Sequence, residues 1–403
     1  MSFITARARM QSSILSRIGI FLIAGLVHGT STISGQSERS LRTSTEVDRL
    51  QIPMTAEPSR WTVEREIKEG AAYLAGRGVP ENATIAAYWY RVAAEQGDPR
   101  AENELGYFYT AGVGVKANPA EAVKWYERAV AGGSPAAKLN LAVMSLKGVG
   151  ISRDSQFGID LLQQLASVHY GRAEAYLGFI YELGYGVAEN GQLAKKWYTA
   201  AAKHHAPEGE YGLGMLLCCS ADPGRPQDFA RSARLLRSSA RAGYVPAMYG
   251  LGNLLLKHPE LSKAPDEAMT NLRKAAGGGF WQASVVLGTL SRDGTSGAPN
   301  MADAYSWFTI AIRQGGPTAE TLLSASRTKC ALALSVDLRQ REDQLVEAWL
   351  HKHSVVDLFI LPTEFHEGPF PATTIPVLGS EDEGTKSAVS SRVDTHSTRA
   401  PSS

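Results

Sequence analysis

The sequence predicts an all-α fold, an α/α superhelical solenoid of about seven 36-residue helical hairpin repeats. Three observations predict it. Trp89-Tyr90, Trp125-Tyr126 and Trp197-Tyr198 lie 36 or 72 residues apart. Gly76-x-Gly78, Gly112-x-Gly114, Gly148-x-Gly150 and Gly184-x-Gly186 keep the same interval. A leucine recurs at Leu105, Leu141, Leu177, Leu213, Leu251, Leu287 and Leu323, with one interval of 38 where two residues are inserted around Ser220–Pro226. A fixed period of this size marks stacked supersecondary units rather than one closed core.

The stretch 101–133 shows what one unit encodes. Ala101, Leu105, Gly106 and Tyr109 fall on one stripe of a first helix, helix A. Gly112 and Gly114 supply the positive φ that ends it and turns the chain. Asn118 is placed to cap a second helix, helix B, with Pro119 at its first position, where the missing N–H costs nothing. Ala122, Trp125, Tyr126 and Ala129 form the buried face of helix B, and Gly133 closes the unit. The cap column runs Asn82, Asn118, Asp154, Asn190, Asp228 and Asn300. The closing column runs Gly97, Gly133, His169, His205, Gly243, Gly279 and Gly315. The residue after each leucine is small: Gly106, Ala142, Gly178, Gly214, Gly252, Gly288 and Ser324. Every column has a packing, turn or capping role, and none calls for catalysis.

The pattern A-x-x-x-L-G-x-x-Y-x-x-G-x-G-V, an Asn/Asp cap, then A-x-x-W-Y-x-x-A, resembles the Sel-1-like repeat, a relative of the tetratricopeptide repeat with a longer turn inside the hairpin. The likeness covers roughly residues 64–316. It is looser in the third unit, where Leu161-Leu162 replaces Trp-Tyr, and in the fifth and sixth, which lack Gly-x-Gly. The resemblance implies stacked hairpins and scaffold or adaptor work on protein partners. One subset of the family is stapled by a Cys pair within each unit, and some of its members are described as weak β-lactamases. A cell-envelope hydrolase is therefore the alternative function, but this sequence lacks the Cys spacing and carries over none of that chemistry.

Around the solenoid, assigned to residues 61–316, the chain divides simply. Arg7, Arg9 and Arg17 precede a ten-residue apolar run, Ile18–Val27, and then small and polar residues to Gln36. That order predicts a cleaved export signal over 1–36, and the run is too short to span a bilayer. The expected location is the periplasm or the exterior. Residues 37–60 read as a flexible linker and 362–403 as a disordered tail. Helices over 317–361 are expected to cap the solenoid. At the other end Glu69 takes the leucine column, as suits a first unit with one face in water.

Composition excludes several functions. With 41 basic and 40 acidic residues the net charge is +1, which gives no support to a nucleic-acid partner. Cys218, Cys219 and Cys330 form no disulfide framework; two buried thiols and one spare are expected, with a bond from Cys330 to the adjacent pair as the alternative. His169 and His205 take turn positions and His204 ends a helix B, so no convergent metal-ligand set is expected. Glu102 and Glu104 are read as lying on the solvated side of helix A. No catalytic residue and no cofactor follow from these patterns.

One feature points to a partner. The helix-A positions two before and two after the leucine line the inner groove in tetratricopeptide relatives. Here they hold Asn103, Leu139, Ala175, Tyr211, Tyr249 and Val285, then Tyr107, Val143, Phe179, Met215, Asn253 and Thr289. Either these columns pack on the neighbouring helix A, or they form a groove for a protein segment with Tyr107, Phe179, Tyr211, Met215 and Tyr249 as anchors.

Overall fold

A computed structural model describes residues 62–219, 227–295 and 297–353. The expected signal, linker and tail, the run Val355–Leu361 and the insertion around Ser220–Pro226 lie outside them. Among the described residues there are fifteen α-helices and no strand. The units pair α1 (Val63–Ala75) with α2 (Ala83–Glu95), α3 (Pro99–Ala111) with α4 (Pro119–Ala131), and α5 (Pro135–Lys147) with α6 (Ser155–Ser167). They continue with α7 (Gly171–Leu183) and α8 (Gly191–Lys203), α9 (Pro207–Cys219) and α10 (Phe229–Arg241), then α11 (Val245–Lys257) and α12 (Glu267–Gly277). The seventh unit is α13 (Trp281–Asp293) and the first half of α14 (Met301–Leu332), followed by α15 (Val336–Lys352). Each helix packs on the next in sequence, and α9 also packs on α7 and α11.

The caps explain where each helix B starts. The side chains of Asn82, Asn118, Asp154, Asn190, Asp228 and Asn300 all accept a first-turn N–H of the following helix. Each unit is closed by a left-handed residue: φ is 83° at Gly97, 85° at Gly133, 61° at His169, 57° at His205, 91° at Gly243 and 83° at Gly279. The seventh closing turn falls one residue later than expected. Gly316, not Gly315, takes φ 58° and ψ −146°, because Pro317 disfavours helical geometry in the residue before it. There α14 kinks, and its second half continues the helix-A columns with Ala319 and Leu323 both buried.

The hairpin is held by one large residue of helix B set against one small residue of helix A. Tyr90, Tyr126, Leu162, Tyr198, Leu236, Leu272 and Phe308 occupy this position and are all buried. A Cβ added at Gly106, Gly178, Gly252 or Gly288 would stand 2.7, 2.5, 2.7 and 2.9 Å from Tyr126, Tyr198, Leu272 and Phe308. The small column is therefore required by a side chain, not by the backbone.

The cysteines need a correction. Cys218 is disulfide-bonded, so it is not one of two buried thiols. Cys330 is a free, fully buried thiol packed near Tyr305 and Phe308 at the far end of the chain, which also removes the alternative bond from Cys330.

Candidate partner-binding face

From the second unit on, each helix A packs on its own helix B and on helix B of the unit before, and α9 also packs on the helices A to either side, so little of it stays in water. This decides where the proposed anchors lie. Tyr107 is 8 % exposed, Tyr211 3 %, Met215 7 % and Tyr249 2 %, while Phe179 is half-buried. Tyr211 meets Tyr244 edge-on with ring centroids 5.5 Å apart, and Tyr249 meets Phe280 at 4.8 Å. Tyr211 and Met215 share a core cluster with Tyr198, Leu236 and Leu251. Four of the five anchors thus form the floor of the helix-A face, and Phe179 alone of them reaches solvent to any extent.

The two glutamates of α3 depart from the solvated placement expected for them. Glu102 is buried and pairs with Arg128 at 2.9 Å. Glu104 is half-buried beside Tyr90, Tyr107 and Tyr126, and burial pushes its carboxyl from the ordinary 4.5 up to about 7. Its hydrogen bond comes from Asn103 Nδ2 at 3.3 Å, and Asn103 Oδ1 in turn accepts from Asn140 of α5 at 3.0 Å. No cation among the described residues pairs with it. Burial and its own charge push the neighbouring Tyr107 phenol up to about 12.

A pH dependence follows. A carboxyl whose folded pKa is raised holds its proton more tightly in the folded chain. Its contribution is largest below the ordinary carboxylate range and is lost as pH rises from about 4.5 to about 7. Glu104→Gln is expected to leave stability at pH 4 unchanged and to raise it at pH 8 by about 1–3 kcal/mol. Urea midpoints of both proteins across that range check this; parallel curves would show that Glu104 is ordinarily solvated.

Polar latches, buried on the helix-A side, join the start of helix A to the end of helix B in several units. Gln96 Nε2 donates to Glu66 at 2.6 Å, Arg128 holds Glu102, Ser238 Oγ donates to Glu210 at 2.9 Å, and Ser284 Oγ donates to Gln314 at 3.3 Å. In the fourth unit the latch is His204 Nδ1 on Glu174 at 2.6 Å, and His169 joins them. The expectation that no metal-ligand set converges is corrected here: the repeat brings together three groups spread over 36 residues. The signal was the recurring 30-residue spacing from Glu66 to Gln96 and from Glu174 to His204.

These features define an α/α solenoid of stacked helical hairpins whose helix-A face carries a half-buried carboxyl with no cationic partner among the described residues. The chain belongs to the Sel1 repeat family, which matches at residues 70–98, 99–134, 135–167, 171–205, 207–244, 245–280 and 282–316. The crystal structure of a Sel1 repeat protein from Oxalobacter formigenes is 27% identical, covers 62% of this chain and 99% of its own, and superposes with a TM-score of 0.51. The crystal structure of c5321, a protective antigen of uropathogenic Escherichia coli strains displaying an SLR fold, is 25% identical over 74% of this chain and 72% of its own, with a TM-score of 0.37. No curated protein matches. Sel1 repeat proteins are in general protein-interaction scaffolds and typically non-catalytic. No described helix is long and apolar enough to cross a membrane.

Proposed function

We propose that this chain is an exported, non-catalytic adaptor that holds a segment of another protein along its helix-A face. The observation that carries the reading is Glu104, a half-buried carboxyl beside Tyr107 that no cation among the described residues meets. A partner segment bringing Lys or Arg would supply that cation where low local dielectric strengthens the pair. Phe179, two units further on, offers an apolar contact. Tyr107, Tyr211, Met215 and Tyr249 act as its floor. Export is part of the same proposal and rests on the arginines that precede Ile18–Val27.

The test is recovery of partners from an extract of the source cell envelope, using the mature chain and two variants. Glu104→Gln is expected to lower recovery of a partner while leaving the melting temperature at neutral pH undiminished. Phe179→Ala is expected to lower recovery of the same partner with a smaller loss of melting temperature than a fully buried core change, since Phe179 is only partly buried against the core. Tyr107→Ala with Tyr249→Ala is expected to lower the melting temperature, as core changes do. Unchanged recovery with both Glu104→Gln and Phe179→Ala would remove the helix-A face from the binding site.

A further inference from the structure

We propose that His169, Glu174 and His204 form a binding site for a divalent transition metal ion of the zinc class. One ligand atom from each can be chosen so that all three lie within 4.8 Å of one another. His204 Nδ1 is 2.6 Å from one carboxylate oxygen of Glu174, His169 Nδ1 is 3.9 Å from the other, and the two imidazole rings are 4.6 Å apart. Two imidazoles and a carboxylate are a donor set that zinc takes with bonds of about 2.0–2.2 Å. Only sub-ångström to ångström adjustments bring these atoms to that distance from one centre. His169, with a side chain 73% exposed, is free to make its share of them.

The ordinary explanation covers part of the cluster. His204 on Glu174 is one of the polar latches that recur along the solenoid. It does not explain His169. The closing turn needs a left-handed residue, and Gly97, Gly133, Gly243 and Gly279 supply it without strain. His169 takes φ 61° there, a conformation an L side chain rarely adopts. In the second unit the position equivalent to His169 is Gly97, which offers no side chain to the Glu102–Arg128 pair. Glu174 also differs from its buried counterpart Glu102, which pairs with Arg128. Its ionic partners among the described residues are the two imidazoles, both of which ligate a metal in their neutral form. The carboxylate is 3% exposed and the second imidazole 25%, so two corners are held rigidly while the third faces solvent. That leaves one coordination position open to water or to a donor from elsewhere, the arrangement of a three-ligand zinc site.

One unit on, His205 holds the same kind of turn at φ 57°, but there the helix-A glutamate, Glu210, is met by Ser238 and not by a histidine. It serves as the matched control. The site is independent of the adaptor reading, since no residue is shared with the helix-A face.

The experiment titrates the full chain, free of any histidine tag, with zinc chloride by calorimetry and with cobalt chloride by visible absorption. The expected result is one ion per chain, with cobalt giving the intense visible band of a four-coordinate site. His169→Gly, which restores the residue the turn favours, is expected to keep or raise the melting temperature and to weaken binding on the order of tenfold or more. His204→Gln, which installs the amide that Gln96 provides in the first unit, is expected to weaken it at least as much. His205→Gly is expected to leave it unchanged. No uptake of either ion by the wild-type chain would overturn the proposal. So would uptake that His169→Gly and His204→Gln leave unaltered.

Discussion

Gly114→Ala is expected to destabilise the chain by about 3–5 kcal/mol, far more than a methyl group in a surface turn normally does. Two effects add. Gly114 has φ +66°, which costs an L residue about 1–2 kcal/mol. The new Cβ would also stand 2.0 Å from the carbonyl oxygen of Ala83 and 2.8 Å from the Thr84 nitrogen, at the start of α2 in the preceding unit. Those are backbone atoms and cannot step aside. Gly78 occupies the same place in the first unit with φ +76° but meets nothing within 4 Å among the described residues, where no repeat precedes it. Gly78→Ala therefore carries only the backbone strain, about 1–2 kcal/mol. Urea midpoints of the two variants separate the terms. Equal losses would mean that the turn does not press on its neighbour.

The second large effect is expected from Gly178→Leu, a loss of about 3 kcal/mol or more. Tyr198 lies between two glycines. An added Cβ would be 2.5 Å from its Cδ1 at Gly178 and 2.4 Å from its Cε1 at Gly212. The ring is fully buried and its hydroxyl donates to Glu182 at 2.6 Å, so it has no direction of retreat. Gly214→Leu is expected to cost less, about 1–3 kcal/mol, since its Cβ would meet the flexible side chain of Leu236 at 3.1 Å. Melting temperatures of the two variants check the order, and a larger loss at Gly214 would show that Tyr198 is not confined as described.

The fold was legible because each column of the repeat answers a local requirement. A cap such as Asn118 is read from its own few neighbours, and a glycine such as Gly112 from the turn it must make. The closing turn at Gly316 was misplaced by one residue because a proline, not the period, sets the backbone there. The helix-A face was less legible for a different reason. Whether Tyr211 or Tyr249 meets water depends on how closely successive hairpins stack, and a column of side chains carries no measure of that spacing. Glu102 and Glu104 were misplaced by the same omission: on a helix covered by its own partner and by neighbouring units, a polar residue does not imply a wet side. His204 lies thirty residues beyond Glu174, and each of the three fits a turn, latch or helix-end column of the repeat when read alone, so only their superposition in space reveals a cluster.

The contact between Gly114 and Ala83 has a direction, and so does that between Gly150 and Pro119, where an added Cβ would lie 2.3 Å from the carbonyl oxygen. In both, a turn rests on a helix made earlier. A ribosome delivers the amino end first, so each new turn emerges onto a surface already complete and never waits for a residue still to be synthesised. In a linear array whose units touch only their neighbours, this lets the structure advance at the pace of translation, one hairpin behind the growing end. Shortening from the carboxyl end removes nothing on which these turns rest, whereas deleting the first hairpin leaves the second turn pressing on nothing.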